Sequence, residues 1–220
     1  MIKYCIFDLD GTLLDTLPTI KHHLNKTLKD YGLSEVGDSE TKRYIGDGAY
    51  QLIFRVFSEQ GVTEEKTVAR ALAEYKAAYD ANPYYLTKIY DGITDALDAL
   101  LTRGIRLAVL SNKPDAATRS VISHFLAGKF ALVRGGTDGI PLKPNREAPL
   151  AVAKELGASV GECAFIGDTS VDIFTGKNMC AALTVGVSWG FRDKEELISA
   201  GADVLASHPS ELIEILEAVK

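Results

Sequence analysis

Near its start the chain runs Ile6, Phe7, Asp8, Leu9, Asp10, Gly11, Thr12, Leu13, Leu14, Asp15, Thr16, an apolar stretch ending on two carboxylates at spacing two. Side chains alternate along a strand, so Asp8 and Asp10 project to one side just where the backbone leaves the sheet. In open α/β sheets that position, beyond the carboxyl end of a strand, is where ligands bind. Gly11 permits a sharp exit, and Thr12 adds a hydroxyl beside the acids. Taken alone, the run is also an ordinary acidic turn, since Asp and Gly are common turn residues.

Three later segments each place a different residue of phosphate chemistry after an apolar run. Leu107 to Leu110 leads into Ser111, Asn112, Lys113 and Pro114. The glycine-rich Arg134, Gly135, Gly136, Thr137, Asp138, Gly139 leads to Lys143 and Pro144, and Cys163 to Ile166 runs into Gly167, Asp168, Thr169, Ser170, Val171, Asp172. Singly, Ser111 reads as an N-cap, Lys143 as a solvated loop cation, and Asp168 and Asp172 as cap and first-turn acids of a helix. Their joint occurrence, in this order on successive strand ends, favours a phosphate site over four coincidences.

Together these motifs resemble those of the haloacid dehalogenase superfamily, and the likeness runs through the whole chain: Asp8 to Thr12, Ser111, Lys143 with Pro144, and Gly167, Asp168 to Asp172. The DxDGT form is similar to that of its phosphatases. More narrowly, Gly186, Val187, Ser188, Trp189, Gly190, Phe191 and Arg43, Tyr44, Ile45, Gly46, Asp47, Gly48 resemble phosphoglycolate phosphatases. One departure is Asn145, Arg146, Glu147, Ala148, Pro149, which moves the second proline of the lysine motif along the chain.

The resemblance implies a phosphomonoesterase with Asp8 as nucleophile, giving an aspartyl-phosphate, and Asp10 as acid and then base. Ser111 would hold a phosphate oxygen, with Thr12 and Asn112 also at the substrate, and Lys143 would supply positive charge. Ionised Asp8, Asp10, Asp168 and Asp172 with Lys143 alone leave an excess of negative charge, for which a divalent cation is the natural complement. Asp8, Asp168 and the main-chain carbonyl of Asp10 would form the hard-oxygen shell that Mg²⁺ prefers, with Asp172 orienting a metal water or Lys143. Arg43 is placed either to pair with a substrate carboxylate or, as arginines by default are, in solvent. A phosphosugar mutase or pyrophosphatase of the same superfamily shares these core motifs. A phospho-aspartate signalling module, or a binding protein without catalysis, is the alternative outside enzymology.

From Arg106 onward strands and helices alternate, the pattern of a doubly wound, Rossmann-like parallel sheet covered by helices. The expected elements are strands at 105–110, 130–133, 164–166, 183–187 and 203–205, with helices at 114–127, 147–156, after 170, from 194 and from 210. Before that series, Leu17, Ile20, Leu24, Leu28 and Tyr31 recur at three or four. Ile45, Leu52, Ile53, Val56 and Phe57 do so in broken fashion, and a third helix is expected over 64–81. The division predicted is a catalytic α/β core, 1–16 and 84–220, with a helical cap at 17–83 able to close over the strand ends.

With 220 residues, 46% of them apolar, there is material for one core and a smaller second domain. A net charge of −6 with no clustered Lys/Arg run argues against nucleic-acid or anionic-membrane surfaces. The first strand begins at Ile2, so no signal peptide is expected, and no run is long enough to span a bilayer. Cys5, Cys163 and Cys180 read as buried thiols of a reducing compartment, the cytoplasm. The partner expected is a small phosphate ester. Oligomeric state is not legible.

Overall fold

The computed structural model describes residues 1–137 and 139–219, so Asp138 of the glycine-rich stretch lies outside the described residues. In chain order, β1 (Tyr4–Phe7) and β2 (Leu14–Asp15) precede α1 (Leu17–Asp30), α2 (Asp38–Tyr44), α3 (Ala49–Glu59) and α4 (Glu65–Ala81). Then come β3 (Lys88–Ile89), α5 (Ile93–Thr102), β4 (Arg106–Pro114), α6 (Asp115–Phe125), β5 (Leu132–Gly136) and α7 (Glu147–Leu156). The chain ends with β6 (Cys163–Gly167), α8 (Ser170–Asn178), β7 (Leu183–Val187), α9 (Lys194–Ser199), β8 (Val204–Ala206) and α10 (Glu211–Glu217). It divides into two compact units, 1–15 with 89–220, and 16–88.

The larger unit holds a six-stranded sheet in the order β5-β4-β1-β6-β7-β8, every neighbouring pair parallel. β1 lies at its centre: the chain winds outward through β4 and β5, then crosses to the other side for β6, β7 and β8. That reversal opens a crevice at the carboxyl ends of the strands flanking β1. β6 is buried along its whole length, as a central parallel strand must be. On one face Ile6, Ala108, Leu110 and Phe165 pack with Val152, Ala153 and Leu156 of α7 into a buried apolar cluster.

Several boundaries differ from the sequence expectation. β4 continues through Ser111, Asn112 and Lys113 to Pro114, which pairs with Gly136, so these residues are strand and not the start of a helix. The pairing with β5 is irregular between Leu110 and Pro114, so strict alternation lapses over these residues. α5 was not anticipated from the sequence; it buries Ile93, Ala96, Leu97 and Leu100, one helical stripe. Cys5 and Cys163 are buried, but Cys180 is exposed, at φ 59 in the turn after α8.

The smaller unit has its own core, with Ile20, Leu24 and Leu28 of α1 against Ile53, Val56 and Phe57 of α3 and Val68, Ala71 and Tyr75 of α4. It extends to Lys88, and Thr19 of α1 ties down the segment after α4: its hydroxyl donates to the Tyr85 carbonyl and lies 2.8 Å from Thr87 Oγ1. Among the described residues no helix is long and apolar enough to cross a membrane.

Candidate active site

Register brings the motifs together. Phe7 is level with Val109 of β4 and Ile166 of β6, so Asp8 lies one residue, and Ser111 and Asp168 two residues, beyond that common line. The Asp8 N–H still donates to the Ile166 carbonyl at 2.9 Å, which holds the first acid at the sheet edge.

Lys143 is the hub. Its Nζ lies 2.6 Å from Asp8 Oδ1 and 2.7 Å from Asp172 Oδ1, and all three side chains are almost wholly enclosed. Asp172 is fixed from its other oxygen, which accepts from the Thr169 N–H at 3.0 Å and hydroxyl at 2.8 Å as part of the capping box of α8. Burial, and then the Asp172 charge, push the Asp8 carboxyl up to about 7, against the pull of Lys143. Burial with the Asp172 and Asp8 charges likewise holds Asp168 well above the usual carboxylate range. Burial would lower the Lys143 ammonium, but Asp172 and Asp8 outweigh it and raise it.

Asp168 is gripped on both oxygens: Oδ1 accepts from the Thr12 hydroxyl and Oδ2 from the Phe191 N–H, each at 2.8 Å. Two glycines make room for it. A Cβ on Gly11, which sits at φ +89, would lie 2.2 Å from Asp168 Oδ2, and one on Gly190 would lie 2.4 Å from both Asp168 Cβ and the Gly11 carbonyl oxygen. The indole of Trp189 closes the arrangement by donating to the Thr12 carbonyl at 3.0 Å.

Two residues expected at the substrate thus have partners in the protein itself: Thr12 holds Asp168, and the Asn112 carboxamide bonds the backbone of Lys143. Ser111 accepts from the Lys113 N–H at 3.2 Å, which leaves its own proton to donate. Arg43 belongs to the smaller unit, where it pairs with Glu59 at 3.0 Å and lies over the Tyr44 ring.

Asp8, Asp168 and Asp172 each present a carboxylate oxygen within 4.8 Å of the others. Asp10 stands apart, its two oxygens both 3.0 Å from Lys113 Nζ. Four carboxylates against two ammonium groups leave two negative charges, the complement of one divalent cation, and the raised Asp8 and Asp168 carboxyls express the same deficit. Hard, buried oxygens of this kind fit such an ion. Asp8, Asp168 and Asp172 together form the acidic cluster that could hold it.

A family model described as haloacid dehalogenase-like hydrolase matches residues 5–185. The chain belongs to that family. Relatives of this hydrolase include the phosphoglycolate phosphatases of Rhodospirillum rubrum, 33% identical over 92% of this chain and 86% of the relative, and of Aquifex aeolicus, 32% identical over 98% and 97%. Among solved structures, one from Lactobacillus delbrueckii assigned to the phosphoglycolate phosphatases superposes with a TM-score of 0.93 at 28% identity, covering 97% of this chain and 98% of that one. A Bacteroides vulgatus protein assigned to the β-phosphoglucomutases shares the fold, with a TM-score of 0.80 at 21% identity, over 99% and 90%.

Two features of the hydrolase site escaped the sequence reading. Lys113 stands two residues past Ser111 at the end of the same apolar run, and a second cation at that strand end was available as a signal. The clasp of Asp168 by Gly190 and Phe191 had no comparable local sign.

Proposed function

We propose that this phosphatase of the haloacid dehalogenase-like family hydrolyses a small phosphate monoester through an aspartyl-phosphate on Asp8, with Mg²⁺ as the cation and 2-phosphoglycolate as the foremost substrate. The observation that carries the reading is the Lys143 bridge between Asp8 and Asp172 beside Asp168. With Oδ1 of Asp8 engaged by the ammonium, Oδ2 is the oxygen turned to attack. An Asp8–phosphorus bond forms as the ester oxygen–phosphorus bond breaks, and Asp10 gives its proton to the departing oxygen. Water then attacks phosphorus while Asp10 takes the proton back, releasing inorganic phosphate and free Asp8. When bound, the cation offsets negative charge on the carboxylates and the phosphoryl oxygens. Lys143 contributes the same electrostatic support from a fixed, buried position, and Ser111 donates to a phosphoryl oxygen. The choice of 2-phosphoglycolate rests on the names of the relatives at about a third identity. A cytoplasmic setting is part of the proposal, in keeping with three unpaired thiols.

The test is phosphate release from phosphoglycolate, β-glucose 1-phosphate, pyrophosphate and nucleoside monophosphates, with Mg²⁺ and with chelator. Chelator-sensitive release with phosphoglycolate preferred supports the proposal. Release from another ester alone overturns the substrate, and interconversion of sugar phosphates without release overturns hydrolysis.

A further inference from the structure

Asp10 and Lys113 form a contact at the site that the mechanism above leaves without a task. The ammonium lies 3.0 Å from each Asp10 oxygen, with side-chain exposures of 7% for Lys113 and 14% for Asp10. A pair this enclosed is neither screened nor averaged away as a surface pair is. It also spans the crevice, joining the loop after β1 to the end of β4 across 103 residues of sequence. Lys113 is itself held in place, since its N–H donates to Ser111 Oγ.

We infer that Lys113 is a positioning residue for proton transfer: it fixes the carboxylate of Asp10 toward the ester oxygen and keeps it apart from the Asp8, Asp168 and Asp172 cluster. The inference rests on the function proposed above. Asp10 follows Asp8 by two residues, in the turn beyond the end of β1. Without a tether, a short carboxylate beside a cation site is free to turn toward the cation, where it adds a ligand and loses its line to the leaving group. An ammonium that straddles both oxygens restrains the rotation of the carboxylate and opposes that turn by charge. Proton transfer needs one Asp10 oxygen protonated and within hydrogen-bond reach of the departing oxygen; the ammonium then keeps the other oxygen, so orientation is what such a tether supplies.

The role predicts a dependence on leaving group. An alkyl phosphate expels an alkoxide that needs the proton, whereas 4-nitrophenyl phosphate expels a stable phenolate that does not. Both esters pass through the same phosphoryl transfer to Asp8, and kcat/KM reports that step free of the later dephosphorylation. In Lys113→Met the ratio of kcat/KM for phosphoglycolate over 4-nitrophenyl phosphate is expected to fall on the order of 100-fold, the scale of a lost general acid. Lys113→Arg, which pairs with a carboxylate through two N–H groups, should restore most of the ratio. In an Asp10→Asn background Lys113→Met should leave the ratio where Asp10→Asn alone puts it, because the two act as one unit.

An equal fall for both esters overturns the inference and makes Lys113 a binder of phosphate charge. An unchanged ratio overturns it too. Thermal melting of each variant separates misfolding, which lowers both rates and the ordered fraction together, from the ester-selective loss. Should the wild-type protein cleave neither ester with Mg²⁺, it is the proposed function that fails, a result distinct from a wild-type enzyme whose Lys113 variant shows no selectivity.

Discussion

Asn112 grips Lys143 by the backbone: its Oδ1 accepts from the Lys143 N–H at 2.8 Å and its Nδ2 donates to the Lys143 carbonyl at 3.0 Å. A side chain on β4 thus sets the height of a lysine 31 residues further along. Asn112→Ala leaves two backbone groups without these partners and is expected to cost about 1–3 kcal/mol of stability. The Lys143 ammonium would drift from Asp8, and displacements of about 1 Å at a reacting centre cost on the order of 100-fold in rate. Denaturant unfolding and kcat/KM check the two effects; full stability with full activity would mean that the clamp is dispensable.

Asp8→Asn should remove turnover while preserving the fold, as judged by circular dichroism and melting, because the amide keeps the shape but loses nucleophilicity. Retained activity would sink the assignment of the nucleophile. Lys143→Ala should lower kcat/KM by about 100- to 1,000-fold, the scale seen when a preorganised electrostatic group is removed. A negligible change would reduce Lys143 to a structural ion pair.

Gly190→Ala places a methyl 2.4 Å from Asp168 Cβ and from the Gly11 carbonyl oxygen, where backbone on the far side cannot yield cheaply. Overpacking of this sort costs about 1–3 kcal/mol. Because Asp168 belongs to the acidic cluster that could hold the cation, Mg²⁺ affinity is expected to weaken about 10- to 100-fold, measured by titration calorimetry on the folded variant. Unaltered affinity would show that Asp168 has more freedom than its clasp suggests.

The Asp8 carboxyl, raised to about 7 by burial and then Asp172, makes stability depend on pH in a defined direction. Its unfolded value is close to 3.8, so between about pH 4 and 7 the cation-free folded protein binds more protons than the unfolded chain. Stability in chelator therefore falls as pH rises through that window. A bound cation replaces the protons, so the gain in melting temperature on adding Mg²⁺ should grow from pH 5 to pH 8. A gain that is constant with pH would contradict this linkage.

Much of the larger unit is written locally. The runs at 147–156 and 183–187 become α7 and β7 with the bounds their apolar patterns predict, and Asp8, Ser111 and Asp168 converge because each follows an apolar strand. Where the pattern misled, a distant partner decided. Ser111 to Pro114 have the look of a helix start, yet pairing of Pro114 with Gly136 keeps them in β4.

What the sequence determined by itself is the class of fold and the chemistry at the strand ends, because hydrophobic period and residue type are local properties that survive any arrangement of distant segments. Only tertiary structure decided the assignments of side chains to one another: Thr12 to Asp168, Asn112 to the Lys143 backbone, Lys113 to Asp10. These partners are separated by 156, 31 and 103 residues, and choosing among many acids and donors requires the register of the sheet, which long-range burial sets and no local period records.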